Sequence, residues 1–255
     1  MAAILGICGW IVAGLPGLIA VLGGVLALIL IGPRVSPELA MKVGHAIPLE
    51  PWQAPAPYHD VDQLARRYEL TAVPRLYLVT NETPVVFSSG NRRSSAVALS
   101  TGAIAVLDER ELRAVLAHEL AHIAADDIGL MRVANFLGRI TSSVATFGLL
   151  SIVFGWLAVP DGAMTTEIIW FLALAPTSVS LLQLALLRRR EYAADAAAAR
   201  IAGDPAALAR ALQKIERAAR FTLKRMFGDA GTIELPTILR THPSTEDRIK
   251  RLQGG

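Results

Sequence analysis

The sequence is short of charge and nearly free of cysteine. Only 18% of its 255 residues are Asp, Glu, Lys or Arg, against 53% hydrophobic residues. Soluble domains carry about a quarter charged residues. That scarcity excludes a disordered chain or a coiled coil and argues against a fully soluble protein. The single cysteine, Cys8, excludes an intrachain disulfide, so cysteine usage carries no information on redox compartment. Neither sign of charge dominates. There are 25 basic and 22 acidic residues, a formal net charge of +3, and no basic run interleaved with aromatics. A nucleic-acid partner is therefore not expected.

The apolar residues are concentrated. Residues 4–31, 140–160 and 168–187 contain no charge, and each run is long enough for a bilayer, which needs about 20 apolar residues per helix. Gly14, Pro16 and Gly17 interrupt the first run. Two half-length helices would each be too short to span, so the run reads as one long helix, kinked or tilted. A cleaved signal peptide would want a positive start and a shorter apolar core, and Met1 to Ile4 supply neither. Arg34 and Lys42 follow the first run, Arg132 and Arg139 precede the second, and Arg188, Arg189 and Arg190 follow the third. Residues 161–167 hold two acids and no base. By the positive-inside rule, 33–139 and 188–255 face the cytoplasm, and the N-terminus and the 161–167 turn face outward. The expected organisation is an anchor over 1–32, a discontinuous polar domain over 33–139 and 188–255, and a transmembrane hairpin over 140–187. The lipid bilayer is thus one expected partner. The sequence does not specify an oligomeric state.

Within the polar segments, residues 48–57 are proline-rich and read as an extended linker. Asp60 suits the cap of a short helix through Tyr68. Residues 74–80 and 95–100 read as strands, the second with an edge available to an extended peptide. Asp108 with Glu111 three residues on forms a capping-box pattern. Leu112, Val115, Leu116, Leu120 and Ile123 follow at helical spacing. Nothing obvious breaks this helix before the second apolar run. Asp204-Pro205 opens another helix, and Ser244 caps a last short one.

The capped helix carries His118-Glu119-Leu120-Ala121-His122, an H-E-x-x-H pattern. Histidines at i and i+4 share one helical face, and that spacing lets both imidazoles bind one zinc. Glu119 is placed to take a proton from an attacking water. The alternative is a surface helix with two histidines and a charge pair. Against it stand the strength of the helix pattern, the presence of only five histidines, and a third ligand candidate. A catalytic zinc needs three protein ligands and an open position. Glu191 is the candidate, returned to the same membrane face after two spans. Asp195, one turn further on, could fix a ligand histidine's tautomer. Taken alone, Glu191 would read as a partner for neighbouring arginines. His45 and His59 read as structural histidines.

These blocks resemble, in order, those of the HtpX-like membrane zinc metalloproteases, a family that also includes the type I prenyl-protein (CAAX) proteases. The blocks are Ala114 to His122, Asp127, Arg190 to Asp195, Gly203 to Ile215, and His242-Pro243-Ser244 with Arg248-Ile249. Together they extend from about Val73 to Leu252. The resemblance implies a mainly α integral membrane protein: three transmembrane helices plus an α+β gluzincin-type domain with a small β-sheet. It implies zinc on His118, His122 and Glu191, Glu119 as general base, and Asp127 and Asp195 supporting the ligands. His242 and Arg248 match recurrent positions near the cleft, with a role such as oxyanion stabilisation. Protein or peptide substrates are implied, cleaved in quality control at a bacterial plasma membrane. One departure is local. The family commonly has Pro-Asn-Ala-Phe-x-x-Gly where this chain has Pro84-Val85-Val86-Phe87-Ser88-Ser89-Gly90, so the asparagine is lost. The other is that many relatives have two spans before the catalytic domain.

Three other functions fit the sequence less well. An antibiotic-sensor-type membrane metalloprotease would want a large outward domain, and the outward turn here is short. A non-catalytic scaffold with a structural zinc has no need of Glu119. A transporter is weaker still, because the three runs contain no acid, base or histidine.

Overall fold

The computed structural model describes residues 1–31, 36–158, 166–227 and 243–254. It is mostly helical with one small mixed sheet. Its contacts divide the chain into two compact units, Met1–Pro33 with Leu130–Leu186, and Arg34–Gly129 with Leu187–Gly255.

The first unit is apolar. Helix α1 (Ala2–Ile31) is broken at Ala13 and Gly14, the latter at φ +60°, a left-handed conformation that glycine adopts without steric penalty. The chain turns back there. Leu5 packs with Val21 and Val25, and a Cβ on Gly17 would collide with the Gly9 carbonyl oxygen. The expected single long helix is therefore a hairpin. Small residues let the two arms touch backbone to backbone, and that contact outweighs continuation past Pro16. Among the described residues the apolar arms, Ala2–Ile11 and Ala13–Ala27, are shorter than a membrane-crossing helix of about 20 residues. Helices α6 (Asp127–Ala158) and α7 (Thr166–Ala202) supply the two stretches long and apolar enough to cross, Asp127–Leu150 and Ile168–Ala202. In this unit Gln183 of α7 donates to the Ala134 carbonyl of α6 at 2.5 Å, satisfying a polar group in apolar surroundings.

The second unit holds the sheet. Helix α2 (Pro37–Val43), strand β1 (Ile47–Pro48), helix α3 (Pro55–Arg67), strands β2 (Arg75–Val79), β3 (Val86–Gly90) and β4 (Ser95–Ser100), and helix α4 (Thr101–Val106) come in that order. Helix α5 (Glu109–Ala124) follows. Later come the end of α7, then α8 (Pro205–Phe227) and α9 (Thr245–Gly254). The strand order is β1-β2-β4-β3, with β2 and β4 parallel and both outer pairs antiparallel. Alternation sorts the two faces. Leu76, Val97 and Leu99 join α3, α5 and α8 in the main core. Tyr77, Ala96 and Ala98 pack with Met41 of α2.

Several local expectations are corrected. β4 lies between two strands and is buried along its length, so the available edges belong to β1 and β3. The proline-rich linker ends at Ala54, because Pro55 opens α3 at a position where a missing N–H is harmless. Asp60 then sits inside α3 and pairs with Arg113 instead of capping. The α5 helix is also broken before the second apolar run. Its C-cap is Ala125, and Asp126 adopts φ +54°, a conformation that Asp tolerates better than most residues.

Candidate metal centre

The site is built on α5. Asp108 accepts from the Glu111 backbone N–H at 2.9 Å, and the Glu111 side chain accepts from the Asp108 N–H at 3.0 Å, a complete capping box. Glu111 is buried and also receives Lys214 of α8 at 2.7 Å. With its start pinned and Leu112, Leu116, Leu120 and Ile123 buried, α5 presents His118 and His122 one turn apart.

Two further segments close around them. The left-handed turn at Asp126 brings Asp127, the first residue of α6, to 2.9 Å from His122 Nδ1. On α7, Asp195 Oδ1 lies 3.0 Å from His118 Nδ1. One turn earlier on α7, the Glu191 oxygens lie 3.7 Å from His118 Nε2 and 3.6 Å from His122 Nε2. Arg248 of α9 donates to both oxygens of Asp195 at 2.6 and 2.7 Å and lies 3.4 Å from Glu191. Arg190 pairs with Asp127.

This arrangement suits a cation. Each Nδ1–H is directed to a carboxylate, which leaves the Nε2 lone pairs as acceptors. Those two Nε2 atoms face each other at 3.2 Å, where two acceptors cannot bond to one another. Ligand atoms at tetrahedral positions about zinc would be about 3.3–3.5 Å apart. The two Nε2 atoms are 3.2 Å apart, one Glu191 oxygen lies 3.6 Å from His122 Nε2 and the other lies 3.7 Å from His118 Nε2, each close to that range. The ligand atoms of His118, His122 and Glu191 all lie within 4.8 Å of one another. Electrostatics agree. Burial opposes a charge on His122, but the hydrogen bond to Asp127 and the charges of Glu119, Glu191 and Asp127 hold its pKa above the ordinary imidazole value. Burial likewise opposes the Arg248 charge, and Asp195, Glu191 and Glu119 outweigh it, so this guanidinium stays ionised.

Glu119 is partly buried on α5 beside His118. Its Oε2 accepts a 2.7 Å hydrogen bond from the Ser88 hydroxyl of β3. Ser88 was not anticipated from the sequence. The Pro84-to-Gly90 block pointed to a missing asparagine, whereas the consequence lies in strand register. Ser88 pairs opposite Val97 and so faces α5. Of the remaining expected residues, Arg248 contacts the support of His118 and Glu191, and His242 lies outside the described residues. His45 occupies a left-handed turn at φ +52°, and His59 bonds Gln63 on the exposed face of α3.

Comparison with known proteins places this geometry in context. The family model of peptidase family M48 matches residues 53–255. A protease HtpX homolog of Trichormus variabilis is 34% identical over 256 residues, covering 95% of this chain and 88% of that protein. A protease HtpX homolog of Aquifex aeolicus is 36% identical over 233 residues, covering 84% and 75%. Among solved structures, the crystal structure of S. mikatae Ste24p gives a TM-score of 0.54 at 19% identity, a likeness of fold. It covers 98% of this chain and 61% of that longer one.

Proposed function

The chain belongs to peptidase family M48 and is a membrane metalloprotease, and we propose that its metal is zinc, held by His118, His122 and Glu191. We further propose that it is an endopeptidase acting on membrane or misfolded proteins in quality control. The observation that carries the zinc reading is the pair of facing Nε2 atoms, closed by Glu191 and backed at both Nδ1 atoms by carboxylates.

Zinc, when bound, supplies Lewis acidity, which polarises the scissile carbonyl and lowers the pKa of the attacking water. The other tasks fall to this chain's own residues. Glu119 accepts the proton of the water and passes it to the leaving amine. Asp195 and Asp127 fix the tautomers of His118 and His122. Arg248 offsets the buried charge of Asp195 and Glu191. The outer edge of β3 offers backbone groups to an extended substrate.

The arginine distribution supports a cytoplasmic protease unit at a bacterial plasma membrane, with α6 and α7 crossing as a hairpin. The α1 hairpin changes the expected position of the N-terminus. Met1 packs in the same cluster as Val25, which supports a cytoplasmic N-terminus over one outside. Cysteine labelling of right-side-out vesicles is expected to modify position 163 and to spare positions 2 and 60. External labelling at position 2 would restore the single-helix reading.

The function itself is tested by proteolysis of an unfolded model substrate with detergent-purified protein. Glu119→Gln is expected to keep zinc and lose about 10²–10⁴-fold in rate, and a zinc chelator is expected to silence the wild type. A Glu119→Gln variant as fast as wild type would remove Glu119 from the chemistry.

A further inference from the structure

We propose that Ser88 is a positioning residue that holds the Glu119 carboxylate in its working orientation, an inference that rests on Glu119 being the general base. Three observations carry it. The Ser88 hydroxyl donates to Glu119 Oε2 at 2.7 Å, and Ser88 Oγ lies 3.4 Å from the Glu119 backbone carbonyl oxygen. Among the described residues, Ser88 is the one hydrogen-bond donor to that carboxylate. Its own placement is rigid. β3 is held to β4 by five paired residues, from Val86 opposite Leu99 to Gly90 opposite Ser95. Val86, on the same face as Ser88, packs into the main core, while Phe87 anchors the opposite face against Met41, Tyr77, Ala96 and Ala98.

A glutamate side chain has three rotatable bonds, so an unrestrained base samples many positions of its oxygens. Fixing Oε2 from the sheet selects one of them and, among the described residues, leaves Oε1 without a protein donor. The hydrogen bond is charge-assisted, which makes it stronger than a neutral one. β3 is also the edge strand proposed to register the substrate backbone. The main chain that aligns the peptide and the hydroxyl that aligns the base therefore belong to one residue, and both are set by a single strand register. Alanine at position 88 would preserve the strand and the backbone edge but release the carboxylate. Threonine would keep a hydroxyl on a residue that suits a strand.

The test compares steady-state kinetics and zinc stoichiometry of the detergent-purified full chain for wild type, Ser88→Ala, Ser88→Thr and Glu119→Gln. Ser88→Ala is expected to bind one zinc per chain, to keep KM, and to lose about tenfold or more in kcat. Ser88→Thr is expected to recover most of that loss. An unchanged kcat in Ser88→Ala overturns the inference. So does a rise in KM alone, a loss of zinc, or a failure of threonine to rescue. The two readings fail separately. If Glu119→Gln is as active as wild type, the general-base assignment falls and this inference with it. If Glu119→Gln is inactive while Ser88→Ala matches wild type, only the role of Ser88 falls.

Discussion

The two histidines of the proposed metal centre are held by equivalent chemistry assembled in different ways. Each Nδ1 meets a carboxylate, and each carboxylate meets an arginine. His122 takes its carboxylate from Asp127, five residues along the chain, through the left-handed turn at Asp126, and Arg190 completes that side. His118 takes its carboxylate from Asp195 and its arginine from Arg248, so three distant segments must meet. The remote support is also the drier one. The Arg248 side chain is 11% exposed and reaches Glu191 as well, whereas that of Arg190 is 27% exposed. A local support needs only a turn to form, whereas a remote one ties the metal centre to completion of the fold.

The largest expected effect follows from cutting the remote support. Arg248→Ala leaves Asp195 buried without its arginine and takes one cation away from Glu191. Breaking a buried pair in this way costs about 3–5 kcal/mol, and zinc affinity should fall by about 10–100-fold. Arg190→Ala removes a more exposed partner and leaves Asp127 bonded to His122, so its effect on affinity should be about tenfold or less. Denaturation midpoints and competitive zinc titrations on both variants check the order. Equal losses would mean that the two supports are equivalent.

A smaller effect concerns pH on the local side. In the metal-free protein, Asp127 and the neighbouring carboxylates hold the His122 pKa above its ordinary value of about 6.5. Zinc needs the neutral ring, so protons compete with it. Because the protonated ring is favoured, apparent zinc affinity should begin to fall, on acidification, at a pH above that ordinary value. Asp127→Asn removes a charge that stabilises the imidazolium and should move the onset to lower pH. Zinc titrations across a pH series measure this, and an onset unmoved by Asp127→Asn would contradict it.

Much of the second unit could be read from the sequence because its signals are local. The capping box at Asp108 and Glu111 marks the start of α5, and the i,i+4 histidines mark the site. Asp204-Pro205 opens α8, with the Asp204 side chain accepting from the Ala207 N–H. What escaped was set by contacts. The break at Asp126 has no proline or glycine to announce it, and the bond of Asp127 to His122 appears only in the fold. β3 is short and contains two serines and a glycine, so its pattern is weak until β4 pairs with it. Ser88 could be found only by pairing that strand and asking which residues face α5. In the first unit, Gly14 and Pro16 were visible as an interruption. A kink and a full reversal share those signals, and the decision came from close packing at Gly9 and Gly17. His242 and residues 228–231 lie outside the described residues.

X-ray absorption at the zinc edge of the purified chain tests the metal centre most directly. The account predicts a shell of nitrogen and oxygen near 2.0–2.1 Å, with the multiple scattering of two imidazoles and no sulfur. Glu191→Ala should lose one oxygen from that shell or fail to retain zinc. A shell containing sulfur, fewer than two imidazoles, or a spectrum unchanged by Glu191→Ala would contradict it.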